Sequence, residues 1–232
     1  MNATNLQKTQ SNPQTTDLEK IQIRWLLIVS AIFHIAFVGF ILWVGNTQWI
    51  PGLFTSQGVG TFNIDNIPYI QQIEDLVRAI YHQGLTPLIS NSFELHIKIY
   101  ALSYVLLSPI CGFSIFGAEI INLFYYLVTI YLVYALAKEI FNHQSGLIAA
   151  VVVGIWPSFV IHTTQLLKTP LFVASTLVLL LATAYWFRHK LSQKTILLGS
   201  ILYILALLIL FTMLENSNRK PLTMAIIAVG LI

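Results

Sequence analysis

The sequence predicts an all-α fold, a polytopic bundle of transmembrane helices, on three observations. Hydrophobic residues make up 56% of the 232 positions and charged residues only 9%, with a mean hydropathy of +0.76. Soluble domains carry roughly 25% charged residues, and so few charges cannot cover a soluble surface. The apolar residues gather in runs of about 20 with few charges, the length that crosses a bilayer core of roughly 30 Å. The basic residues fall in short clusters between those runs, and the net charge is only +3. That pattern marks membrane orientation, not a nucleic-acid surface. The single cysteine, Cys111, leaves no internal disulfide and no cysteine metal cluster. The chain has no Walker loop, GxGxxG or CxxC motif, and no His/Asp/Glu spacing argues for a metal site.

Residues 1–20 are rich in Asn, Gln, Thr and Ser and include Pro13. They read as a disordered cytoplasmic tail with no cleavable signal peptide. The first span covers residues 21–45, too long for the apolar stretch of a signal peptide. Trp25 and Trp43 sit near its ends, where indoles prefer the interface. His34 falls mid-span, where a histidine either packs between helices or makes a functional proton or ligand contact. Residues 46–95 form a long polar connection broken early by Gly52, Gly58 and Gly60. Within it, Ile70, Ile73, Leu76, Val77 and Ile80 recur at helical spacing over 68–82, with Gln71, Glu74, Asp75 and Arg78 between them. This is an amphipathic helix with Pro68 near its first turn, suited to the membrane interface, with Glu74 and Asp75 on its solvated face.

Residues 96–116 are apolar but short, opened by His96 and Lys98 and interrupted by Pro109 and Gly112. They read either as a span or as a juxtamembrane helix. Residues 118–137 span, despite Glu119 and Asn122 near one end. Residues 146–163 span next, with Trp156-Pro157 a kink. Two more spans, 170–187 and 196–214, follow a short connection holding Lys168 and a basic loop over 188–194. An apolar run from Pro221 stops at Ile232, short of the roughly 20 residues a crossing needs. The chain thus reads as a transmembrane module over 21–232, with an external loop at 46–116 and its last helix truncated.

Charge orients the bundle. If 96–116 does not cross, Lys8, Lys20, Arg24, Lys138, Arg188, Lys190 and Lys194 share one face. Arg78, Lys98, Lys168, Arg219 and Lys220 then share the other. The positive-inside rule makes the first face, and the N-terminus with it, cytoplasmic. Asp65, Glu74, Asp75, Glu94 and Lys168 fall together on the opposite face.

The order of parts resembles the N-terminal half of a GT-C membrane glycosyltransferase. It is closest to the family of dolichyl-phosphate-mannose-protein mannosyltransferases and lipid A aminoarabinose transferases. That family places an aspartate, and a tyrosine about four residues on, in a long external loop after one span. Asp65-Asn66-Ile67-Pro68-Tyr69 matches this. Tyr100 and the stretch from Pro109 to Gly112 resemble the juxtamembrane helix that follows. Leu136-Ala137-Lys138-Glu139-Ile140-Phe141, Gly146-Leu147-Ile148-Ala149-Ala150 and Trp156-Pro157-Ser158 resemble later phrases, and Lys168-Thr169-Pro170-Leu171 an external turn. The resemblance covers about residues 20–215. Two departures stand out: Lys168 occupies the place of the family's acid, and His96-Ile97-Lys98-Ile99 replaces a Pro-Pro phrase. The family also carries several more spans.

The resemblance implies a GT-C-like module with amphipathic juxtamembrane helices in the first external loop. It implies an integral protein of a bacterial inner (plasma) membrane that transfers a sugar from a polyprenyl-phosphate donor on the non-cytoplasmic face. Its partners would be membrane lipid and the lipid-linked donor, with no nucleic acid. The acceptor and any divalent metal stay open. Asp65 would be the catalytic base, a role worth about 10² to 10⁴-fold. Lys98 and Lys168 would meet the donor phosphate, where negative charge grows as the sugar leaves. Tyr69 would orient Asp65 or stack on sugar, and Tyr100 would contact substrate. The rival reading is a non-catalytic membrane scaffold or partner subunit. A transporter finds no support in paired half-helices with intramembrane charges.

Overall fold

The computed structural model describes residues 13–61, 66–89, 93–188 and 193–213. Regular structure among the described residues is helical; the sole β-type pairing there is an isolated bridge between Phe54 and Gly60. Eight α-helices follow one another: α1 (Pro13–Thr47), α2 (Asn66–Gln83), α3 (Leu95–Cys111), α4 (Glu119–Ile140), α5 (His143–Ile155), α6 (Pro157–Thr163), α7 (Thr169–Arg188) and α8 (Gln193–Met213). Among the described residues three stretches are long and apolar enough to cross a membrane: Asp17–Thr47, Ile115–Ile140 and Thr169–Trp186. The pair α5 and α6, bent by 66°, makes a fourth if taken as one broken span. The break falls at the Trp156-Pro157 step, as expected, because proline has no N–H to continue the ladder. Helix α8 is 21 residues long and contains the apolar stretch Gly199–Leu210. The run from Pro221 and the end of the chain lie outside the described residues.

Helix α1 starts at Pro13, inside the stretch read as a disordered tail. Proline suits a first helical turn, and ion pairs tie the next turns down. Lys20 meets Asp17 at 3.1 Å, and Glu19 meets Lys138 of α4 at 2.5 Å. The far end of α1 is stopped by Gln48, which takes a left-handed φ of 50° and returns its side-chain amide to the Gly45 carbonyl. Aromatic rings run along the exposed flank, Phe40 on Trp43 at 6.0 Å and Trp43 on Trp49 at 5.6 Å. Aromatic side chains of this kind settle at a membrane interface.

Two contacts show that α1 and α4 are antiparallel. Glu19 meets Lys138 near one end, and His34 meets Glu119 toward the other. The chain therefore leaves α1 and enters α4 at the same end of the bundle, so the segment between them crosses the bilayer an even number of times. Helix α2 carries Gln71, Asp75 and Arg78 exposed and cannot cross. Helix α3 is 17 residues long and is not among the helices long enough to cross, in keeping with the juxtamembrane alternative for residues 96–116. The apolar stripe of α2 (Ile70, Ile73, Leu76, Val77 and Ile80) packs with Ile97, Tyr100 and Tyr104 of α3 in one buried cluster. It is covered by protein, and so is not the free face an interfacial helix offers to headgroups. Helix α3 keeps Leu102, Leu106 and Ile110 exposed on its other side, an apolar stripe suited to lipid. Its floor is close: a side chain at Gly117 would collide with the Tyr104 ring.

Candidate functional site

A layer of buried polar side chains crosses the bundle at the end where α1 leaves and α4 enters. Gln165, in the turn between α6 and α7, is fully buried. Its Oε1 accepts the Gly60 backbone N–H at 2.7 Å and the Asn66 Nδ2 at 3.4 Å. The same Asn66 nitrogen donates to the Gly60 carbonyl at 2.9 Å. Tyr100 of α3 donates to Asn122 Oδ1 of α4 at 2.8 Å, with the Gln165 carbonyl 3.3 Å away. Four parts of the chain are thus clamped together: the loop before α2, α2 itself, α3 with α4, and the turn that carries Lys168.

Asp65 lies outside the described residues. Its neighbour Asn66 opens α2 and is held by the clamp. Tyr69, one turn further, is buried with its ring edge-on to His96 at 4.5 Å and 75°. Tyr100 is fully buried, and its hydroxyl bonds Asn122, bridging α3 and α4. Lys168 is near enough to His96 for its charge to disfavour the imidazolium. Lys98 stands two residues beyond His96, about 200° round the helix at 3.6 residues per turn, on the other side of α3 from His96 and Tyr100.

His96 is 1% exposed, and neither ring nitrogen makes a hydrogen bond among the described residues. Glu94 Oε2 approaches its Nδ1 at 3.4 Å without hydrogen-bond geometry. Burial first, and the Lys168 charge second, push the imidazole pKa down to about 4. His96 is therefore neutral at physiological pH, and it packs an uncharged ring against Tyr69.

The second polar centre is a pair that the sequence reading did not connect. His34 Nδ1 lies 2.9 Å from Glu119 Oε1, and His34 Nε2 lies 3.3 Å from Thr163 Oγ1. The Thr163 hydroxyl has nearer acceptors in its own helix, the Val160 carbonyl at 2.9 Å and the Phe159 carbonyl at 3.1 Å. It therefore accepts from His34, which fixes the proton on Nε2. Glu119 Oε2 is buried and unpartnered among the described residues. At about 1.5 Å per residue the pair sits about 22–28 Å from the Glu19–Lys138 contact, just inside the opposite interface of a core roughly 30 Å thick. One signal was available in the sequence: ionisable residues inside apolar runs pair with one another, and His34 falls mid-span in the first run while Glu119 stands at the entry of the second.

No family model matches the chain, and comparison with curated proteins and with solved structures finds no match.

Proposed function

We propose that this chain forms the membrane-embedded module of a glycosyltransferase that moves a sugar from a polyprenyl-phosphate donor to an acceptor at the end of the bundle where α1 leaves and α4 enters. The observation that supports this reading best is the Gln165 clamp. It ties Asn66, the residue after Asp65 in the sequence, to the turn bearing Lys168. In this reading Asp65 takes the acceptor's proton as the glycosidic bond breaks. Lys168 offsets the charge that develops on the leaving phosphate, and Tyr69 lines the pocket. The face is non-cytoplasmic, in a bacterial inner membrane with the N-terminus inside.

The test is transfer of radiolabelled sugar to lipid or protein in membranes from cells expressing the gene in full, against the same gene bearing Asp65→Asn. Asparagine keeps the size of the side chain and removes its basicity. The expected loss is at least about a hundredfold at equal expression. Unchanged transfer refutes the assignment of Asp65.

One observation favours the rival, a non-catalytic scaffold or partner subunit. Tyr100 and Gln165 spend their polar groups on internal bonds, and Lys168 stands where the resemblance carries an acid. Under that reading neither form transfers sugar, and the chain co-purifies with a second membrane protein.

A further inference from the structure

Two clefts meet at the junction of α1, α3 and α4. One, of about 360 Å³, is lined by Ile35, Leu107, Ile120 and Leu123, with Glu119 among them. The other, also about 360 Å³, is lined by the polar side chains of Asn46, Ser56, Gln57 and Ser114. Cys111 and Phe116 border both. Each volume lies in the range of roughly 300–1,000 Å³ typical of ligand clefts. The first lies beside the His34–Glu119 pair and faces the depth of the bilayer. The second lies beyond it, level with the end of α1 past Trp43. An apolar chamber below a polar one is the shape of an amphiphile at an interface.

The chemistry of the lining narrows the class. Asn46, Ser56 and Gln57 are exposed and spend their side chains on no hydrogen bond among the described residues. Neither lining includes Lys or Arg. Glu119 lines the apolar cleft, and its Oε2 is a buried oxygen with no donor among the described residues, so a group that donates to it is favoured there. An anionic headgroup would meet that oxygen with no Lys or Arg in either lining to offset it. A hydroxyl would satisfy it.

We infer that the paired clefts bind a neutral, hydroxyl-bearing membrane lipid, its chain in the apolar chamber, its head among Asn46, Ser56 and Gln57, and a hydroxyl donated to Glu119. The site is separate from the Asp65 and Lys168 end of the clamp, and it does not depend on the transfer reaction.

Cys111 borders both chambers and is the chain's one cysteine, so its reaction with a maleimide reports occupancy. The full chain is reconstituted in phosphatidylcholine vesicles carrying either dioleoylglycerol or dioleoylphosphatidate, which have the same acyl chains. Dioleoylglycerol is expected to slow labelling at least about threefold, the protection that two-thirds occupancy gives. Phosphatidate is expected to leave the rate unchanged. Ile120→Trp fills the apolar chamber from its half-exposed side and removes the protection. Gln57→Leu, on the surface of the polar chamber, weakens it without touching the helix packing. Glu119→Gln removes the opposing charge and lets phosphatidate protect too. No slowing by dioleoylglycerol overturns the site. Equal slowing by phosphatidate in the unaltered chain overturns the neutral-headgroup assignment, and protection that survives both Ile120→Trp and Gln57→Leu places the lipid elsewhere. Phosphatidate that stays inert in Glu119→Gln overturns the part assigned to Glu119.

Discussion

Replacing His34 with leucine tests whether the buried pair holds the bundle together. Leucine is close to histidine in volume, so the change leaves little cavity. It strips Glu119 of the partner 2.9 Å from its Oε1, and Oε2 already has none. A carboxyl 8% exposed would then stand in apolar surroundings with no partner. Breaking a buried pair in this way costs about 3–5 kcal/mol. Glu119→Gln is far milder. Its amide can donate to Nδ1 while Nε2 keeps Thr163, so only the charge assistance is lost, about 1 kcal/mol. The double variant His34→Leu/Glu119→Leu removes both polar groups and should be more stable than His34→Leu alone, since apolar replacement of a buried pair is often neutral. The assay is reversible unfolding in mixed micelles with increasing dodecyl sulfate, read by helix content. A His34→Leu cost below about 1 kcal/mol, or strict additivity in the double variant, refutes the coupling.

Two further outcomes follow from the polar layer. Gln165→Leu orphans the Gly60 N–H and one donor of Asn66, an expected cost of about 1–3 kcal/mol, and limited proteolysis should cut first in the loop between α1 and α2. His96 is held neutral, its pKa moved from 6.5 down to about 4. A histidine depressed in the folded state stabilises above its unfolded pKa. That stability is lost as pH falls from about 6.5 toward 4, to a limit of about 3 kcal/mol at 1.36 per unit. His96→Phe should flatten the unfolding midpoint over this window, and an unchanged slope refutes the account.

The parts of the fold that follow from local pattern were legible in the sequence. The stripe of Ile70, Ile73, Leu76, Val77 and Ile80 gave α2, and the Trp156-Pro157 step gave the bend between α5 and α6. The start of α1 was missed because composition alone does not show that Glu19 will find Lys138. The crossing of residues 96–116 could not be decided from hydropathy, since α3 is apolar on both flanks; its length of 17 residues and the antiparallel register of α1 and α4 speak for the juxtamembrane alternative. The candidate site was less legible. The resemblance gave Tyr100 as a substrate contact, and nothing near it in the sequence names Asn122, the partner of its hydroxyl on another helix. His34 and Glu119 are 85 positions apart, and nothing near either names the other. Asp65, the residue on which the functional reading turns, lies outside the described residues.

The way the loop after α1 folds back has a consequence for synthesis. Gly45 abuts the Thr55 backbone, Gly58 sits against Leu42, and Gln48 reaches the Phe54 carbonyl. All these contacts close short loops, which cost little entropy and form early. This corner can assemble while the ribosome is still making α2. The His34 contacts span 85 and 129 positions and wait for α4 and α6. Until they arrive, the first helix sits in the bilayer with an unmatched imidazole, so the nascent chain carries its own reason to keep recruiting helices until that ring is capped.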